Sequence, residues 1–347
     1  MINRGRFRLF ADEATEVSAH AIELVGRSLV IDMLGLLTLD WHVLRDWQST
    51  PRDFTHDDFL RLRASGVNVF HPAVDPNQAD AYAACRRWID GWNRLLPGRP
   101  DAFVRIASAA DLARAKAEDK VGILIGFQNS DHFRTAADVA LFQGLGQRVS
   151  QLTYNARNRI GGGCFAAGAG LTPFGAEIVA EMNRTGMAVD ISHCSDRTCL
   201  DALAASRKPV LITHSNCRSL AAHPRCKPDE VIRRVAAGGG VMGITVIPAF
   251  VRQGRQATLA DVLDHFDHVA RLVGAEHVGL GSDADVDAVD PHTRQVRPRY
   301  RVTGMRPARR VFELTDGLLR RGYGDRAIEG ILGGNFQRAL TGIWGTS

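Results

Sequence analysis

The chain has 347 residues, 43 Lys and Arg against 38 Asp and Glu, a formal net charge of +5, 45% apolar residues and 23% charged ones. This composition belongs to a globular protein with a sizeable core and excludes a disordered, fibrous or disulfide-stapled chain. The positive charge is dispersed. Its densest stretch (Arg297, Arg299, Arg301, Arg306, Arg309 and Arg310) lacks regularly interleaved aromatics and reads as a solvated loop and helix start, so no nucleic-acid partner is expected.

Residues 1 to about 27 read as an N-terminal extension. Arg4, Arg6 and Arg8 are followed by Asp12, Glu13 and Glu16 rather than by an apolar run, which is not a signal-peptide pattern. The first strand is predicted at Ser28–Asp32. A helix starting near Thr55, with Asp57 and Asp58 in its first turn, leads to a strand at Val67–Phe70. An alanine-rich helix opened by Ser108 leads to Val121–Phe127, and Val149–Thr153 comes next. A Gly-rich loop, Gly161–Gly170, precedes a helix with Thr172 as N-cap, Pro173 at its first position and Gly186 as its stop. Met187–Ser192 and Pro209–Thr213, separated by a helix over Asp196–Ser206, run into His193 and His214. A helix over Pro228–Ala237 leads to Val241–Thr245. The amphipathic stretch Leu259–Val273 leads to Val278–Ser282, which runs into Asp283. Helices over about 307–343 end the chain. Short β-branched runs suit buried parallel strands. Their regular alternation with helices predicts an α/β fold, a single (β/α)8 TIM barrel domain spanning 1–347, over an open sheet.

The longest uncharged run, Val235–Val251, is shorter than a membrane span and is broken by Gly238–Gly240 and Pro248, so no membrane crossing is expected. Cysteines 85, 164, 194, 199, 217 and 226 show no C-x-x-C spacing; free, buried thiols in a cytoplasmic protein are the reading. Cys194 and Cys217 lie beside His193 and His214 and are read as packing thiols rather than soft ligands. In a barrel, residues at the carboxyl ends of strands converge on one mouth. His193, His214 and Asp283 would bring two imidazoles and a carboxylate together there, a donor set suited to a metal ion. His71, just after the second strand, is a further candidate for that mouth.

Several motifs together carry a family resemblance: Gly170-Leu-Thr-Pro-Phe-Gly175, Asn183-Arg-Thr-Gly186, Asp190-Ile-Ser-His193, Thr213-His214-Ser215, His223-Pro-Arg225, Gly281-Ser-Asp283-Ala-Asp285 and Gly333-Gly-Asn-Phe-Gln-Arg338. In this order the chain resembles the renal (membrane) dipeptidase family, peptidase M19, from about Ser28 to Leu340. The resemblance implies an amidohydrolase-like barrel with two metals at its mouth. One would be held by a His-x-Asp of the first strand and the other by His193 and His214, with a glutamate from the third strand bridging them. It also implies that Arg225 grips the substrate carboxylate and that Asp283 stands near the reacting water.

The chain departs from this pattern. The first strand offers Leu34 and Leu36 where His and Asp are expected, and aliphatic groups cannot coordinate a cation. Gln128 replaces the bridging glutamate, a neutral and weaker donor, and Tyr154 replaces a histidine that follows the fourth strand. Asp40 and His42 lie too far along the loop to replace the lost ligands. The resemblance therefore implies a dipeptidase-like metallohydrolase with at most one divalent ion, of Zn²⁺ type. His193 and His214 would hold it, with Gln128 or Asp283 completing the shell. Asp283 would move the proton, Tyr154 would donate to the oxyanion, and Arg225 would fix a small carboxylate-bearing, dipeptide-like substrate. A metal-free barrel that binds a small carboxylate, and a lyase or isomerase acting on such a metabolite, stand as alternatives. Assembly as a homodimer is left open.

Overall fold

The computed structural model describes residues 17–36, 55–76, 79–166, 168–286, 288, 290, 293 and 295–345. Asp40 and His42 lie outside the described residues. Eight barrel strands follow in chain order: Ile31–Asp32, Val69–Phe70, Val121–Ile123 continued by Gly126–Phe127, Val149–Gln151, Ala188–Asp190, Val210–Ser215, Met242–Ile244 and Val278–Leu280. Neighbours pair in parallel, and the ring closes where Asp32 stands opposite Leu280. The strands are shorter than the apolar runs that predict them, except the sixth, which extends through His214 to Ser215.

The third strand is divided. Its first half pairs with the second strand, and its second half, at Gly126, pairs with Val149 of the fourth. The side of Val121–Ile123 left unpaired by the fourth strand is taken by an additional parallel strand, Phe103–Arg105. Neither that strand nor the helix before it, Ala81–Gly98, was expected from the sequence. A two-stranded pair, Gly35–Leu36 with Ala284–Asp285, continues the first and eighth strands beyond the barrel rim.

The outer helices start where side-chain chemistry can satisfy their free N–H groups. Thr55, Ser108 and Thr258 each form a capping box with Asp58, Asp111 and Asp261, each cap contributing about 1 kcal/mol. Thr172 accepts from Gly175 N, Pro173 takes the first position, and Gly186 ends that helix at φ 75°. The other expected helices run as Asp196–Ala205, Asp229–Ala237 and Leu259–Val273. The last expected helical region is divided into Arg310–Arg320, Asp325–Glu329, a π turn at Gly330–Gly334, and Asn335–Trp344.

Two buried aspartates lock the strand ends from which the mouth is built. Asp32 Oδ1 accepts from Ser282 N at 2.8 Å and from Leu34 N at 3.3 Å, while Oδ2 accepts from Ser282 Oγ at 2.5 Å and pairs with buried Arg310 at 3.0 Å. Asp190 Oδ1 accepts from Ser192 N at 2.9 Å and Thr213 N at 3.1 Å, and Oδ2 accepts from Thr213 Oγ1 at 2.6 Å. A buried carboxylate survives only when its lone pairs are spent in this way.

Candidate active site

His193 follows the fifth strand, and His214 is the fifth residue of the sixth. Their tautomers follow from their partners. Thr213 Oγ1 gives its proton to Asp190, so toward His214 it can only accept, and His214 Nδ1 donates to it at 2.8 Å. His193 Nδ1 donates to Asn155 Oδ1 at 2.7 Å. Each ring therefore presents Nε2 as a lone pair, and the two Nε2 atoms stand 3.0 Å apart. Burial, and then the positive charge of Arg225, hold both imidazoles well below the usual histidine range, so both are neutral. Two lone pairs aimed at each other repel unless a cation lies between them.

The loop carrying Asn155 is held by close backbone contact. Asn155 adopts φ 59°, a left-handed conformation that Asn tolerates better than most residues. A Cβ on Gly163 would stand 2.3 Å from Asn155 C, so only glycine lets the Gly-rich loop lie over it. Cys164 N then donates to His193 O at 2.7 Å, and Cys164 Sγ donates to Asn155 Oδ1 at 3.3 Å.

A cavity of about 810 Å³ opens over the pair, with Gln128, Tyr154, His193, Arg225 and Asp283 in its wall. His214 sits behind His193. Tyr154 stacks on the His193 ring, centroids 4.3 Å apart. Burial, reinforced by the charges of Asp283 and Asp75, pushes the Tyr154 phenol up, so it keeps its proton. Asp283 has φ 56°, and its backbone N–H donates to Leu34 O at 2.8 Å. Burial pushes its carboxyl up to about 6 although Arg225 and Arg299 pull the other way. A non-glycine residue in this backbone region at a cavity wall stores local strain that the surroundings must hold.

Arg225 is 1% exposed. Its Nη1 donates to Ser192 O at 2.5 Å and to Ser215 Oγ at 3.3 Å, and Nη2 donates to His214 O at 2.7 Å. It thus braces both histidine-bearing backbones from the cavity wall. Gln128 commits its side-chain N–H to Ala73 O at 3.0 Å. Leu34 is fully buried and Leu36 lines the cavity. His71 is buried; Nδ1 donates to Met33 O at 2.7 Å, and Nε2 has no hydrogen-bond partner among the described residues. That nitrogen occupies space that a Cβ on Gly126 would need, 2.1 Å away.

The sequence reading missed Asp75, Asn155 and Arg299. Asp75, also in the wall, is pushed up to about 6 by burial despite a 3.2 Å hydrogen bond from Asn129. All six cysteines are free and buried, and no described helix is long and apolar enough to cross a membrane.

These residues test which metal set can form. Two nitrogens about 2.0–2.1 Å from one tetrahedral ion stand about 3.3 Å apart, close to the 3.0 Å found between His193 and His214. Among the described residues, no group of three or more His, Cys, Asp or Glu gathers where an ion could be held. The donors fit one ion held by two histidines, and they do not fit a second beside Leu34 and Leu36.

Comparison with known proteins follows the same line. Residues 18–344 match the family model described as membrane dipeptidase (peptidase family M19). The chain is 31% identical over 310 residues to Dipeptidase verJ of Clonostachys rogersoniana, covering 83% of this chain and 76% of that protein. It is 30% identical over 292 residues to Dipeptidase 3 of Rattus norvegicus, covering 81% of this chain but only 57% of the rat protein. An amidohydrolase from Pseudomonas aeruginosa superposes with a TM-score of 0.78 at 30% identity, over 94% of this chain and 99% of that one. A metallo peptidase from Rhodobacter sphaeroides, solved with a phosphinate mimic of the dipeptide L-Ala-D-Ala, superposes at 0.76 with 18% identity, over 91% of this chain and 100% of that one, a likeness of fold alone.

Proposed function

Because the chain belongs to the membrane dipeptidase family, peptidase family M19, we propose that it is a dipeptidase-like metallohydrolase using at most one divalent ion. Its substrate is a small, carboxylate-bearing, amino-acid-like amide. The observation that carries this reading is the pair of Nε2 lone pairs 3.0 Å apart, each fixed by a hydrogen bond from its own Nδ1. Such outer partners set ring orientation and raise ligand basicity. Held by His193 and His214, a Zn²⁺ ion would supply Lewis acidity toward the scissile carbonyl and acidify a water.

The chain's own groups do the rest. Asp283, with its carboxyl near 6, is deprotonated at neutral pH yet basic enough to take a proton from water and return it to the leaving amine. Tyr154 keeps its phenolic proton and can donate it in a hydrogen bond to the developing oxyanion. Arg225 holds both histidine backbones and keeps this side of the cavity positive for a substrate carboxylate. A metal-free carboxylate-binding barrel is the second reading, favoured by Leu34, Leu36 and the neutral Gln128 standing where ligands would be.

The test is protein purified without chelator, analysed for zinc and assayed on L,L- and L,D-dipeptides. We expect no more than one zinc per chain and turnover below the common range of about 1–1000 per second, lost in Asp283→Asn while zinc is retained. Protein that carries no zinc and hydrolyses none of them favours the binding barrel.

A further inference from the structure

Charge is unevenly placed around the cavity. Arg225 and Arg299 stand in its wall, and their charges act on Asp283 and Tyr154. They do not act on Asp75, which lines the same cavity. The charge of Asp75, in turn, reaches Tyr154. Tyr154 is stacked on the His193 ring, so the centre of the cavity lies between a cationic end and an anionic one.

Asp75 is held in place but not neutralised. Gln128 N donates to Val74 O at 2.9 Å and Gln128 Nε2 to Ala73 O at 3.0 Å, which fixes the two residues before it. Its Oδ1 accepts from Asn129 Nδ2 at 3.2 Å. Asn158 sets the direction of that amide, because its Nδ2 donates to Asn129 Oδ1 at 2.8 Å and to Leu152 O at 2.9 Å. Among the described residues Asp75 accepts no other hydrogen bond and pairs with no cation, and the one charge acting on it is a second carboxylate, Asp131. The contrast is with Asp32 and Asp190, whose lone pairs are satisfied within the protein. A half-buried carboxylate facing a like charge is costly without a counter-ion, and a cationic ligand would supply one.

We propose that Asp75 receives a cationic group on the acyl half of the substrate, opposite the half whose carboxylate faces Arg225, so that the cavity selects and orients zwitterionic amides. This rests on the dipeptidase-like reading of the same cavity. An α-ammonium and a basic side chain offer the same chemistry, and the test separates them.

The test is calorimetric titration of two matched pairs into zinc-supplemented protein carrying Asp283→Asn, which suppresses turnover. L-Ala-D-Ala against L-lactoyl-D-Ala removes only the α-ammonium, and L-Lys-D-Ala against L-norleucyl-D-Ala removes only the side-chain ammonium. We expect the cationic member of at least one pair to bind more tightly by about 10–100-fold, the usual scale for a hydrogen bond to a charged group. The pair that shows the difference names the source of the cation. Adding the isosteric Asp75→Asn should erase that preference and leave the neutral member's affinity unchanged, whereas Asp75→Glu, which keeps the charge, should retain part of it. Equal binding within both pairs, a preference that survives Asp75→Asn, or no binding of any of the four overturns the assignment. Wild-type protein that hydrolyses a dipeptide while both pairs bind alike sinks this assignment and leaves the hydrolase standing. Protein that hydrolyses nothing yet loses its preference for the cation with Asp75→Asn does the reverse.

Discussion

The two halves of the barrel mouth use the same backbone device to hold different side chains. At the fifth and sixth strands, Asp190 accepts from the N–H two residues ahead, from the N–H of Thr213 on the neighbouring strand and from that residue's hydroxyl. At the first and eighth strands, Asp32 accepts from the N–H two residues ahead, from the N–H of Ser282 on the neighbouring strand and from that residue's hydroxyl. On one side the locked segment presents His193 and His214; on the other it presents Leu34. The strand-end scaffold is therefore satisfied without the ligands it positions. A barrel of this kind can lose the donors on one side and keep its fold, because the buried polar groups that define the rim are paired among themselves.

The largest effect should come from removing what the two halves hold. His193→Ala and His214→Ala are each expected to abolish zinc uptake, read by elemental analysis, together with any hydrolysis. Leu34→Ala should leave the zinc content unchanged and lower stability by about 2–5 kcal/mol, the usual cost of truncating a fully buried leucine, read by denaturant unfolding. Zinc lost in the leucine variant would show that the first-strand side contributes to the ion after all.

Next in size is the scaffold itself. Asp190→Asn leaves Thr213 without a carboxylate to donate to, so the hydroxyl can turn and offer its proton to His214 Nδ1, favouring the tautomer that cannot ligate through Nε2. Zinc affinity should fall about 10–100-fold, measured by competition with a chromophoric chelator. The matching change on the other side, Asp32→Asn, strands the buried guanidinium of Arg310. It should cost about 3–5 kcal/mol of stability with little effect on zinc affinity. If both variants lose zinc equally, the two halves are one site and the contrast fails.

What could be read from the sequence follows this division. Thr55, Ser108, Thr172, Pro173, Gly186 and Thr258 act through chemistry local to each helix end, so residue type and spacing locate them. His193, His214 and Asp283 end apolar runs, and the barrel rule carries them to one mouth. Phe103–Arg105 was not legible, since three residues after a helix that contains Pro97 leave no periodic pattern to count. Asp75, Asn155 and Arg299 stand on loops, where position depends on contacts distant in sequence. A weak signal existed for Asn155, because Asn is among the few residues that accept positive φ. Arg299 was hidden by its neighbours: a run of six arginines looks solvated until the structure shows which are paired.

The smallest expected effect lies with Asp283, which follows the eighth strand on the aliphatic side yet shares the cavity with the histidines. Its carboxyl is pushed from 3.8 up to about 6, chiefly by burial. The folded protein therefore binds this proton more tightly than the unfolded chain does. Between about pH 4 and 6 the folded state holds more protons, so this group's contribution is present at low pH and is lost as pH rises through 6. Above that, the ionised carboxylate is a standing penalty. The side chain borders an open cavity, so the full shift overstates the effect, and Asp283→Asn should stabilise the protein by about 1 kcal/mol at pH 8 and by little at pH 4. Asp75, also near 6, contributes a slope of the same sign, so the single variant should flatten only part of the pH dependence. Turnover runs in the opposite direction, since the base must be ionised, and kcat/KM should fall tenfold per pH unit below about 6. Thermal unfolding of both proteins from pH 4 to 8 reads the stability arm. A variant no more stable than the parent at pH 8 would show that the folded site already favours the carboxylate, and the base would then have to lie elsewhere in the mouth.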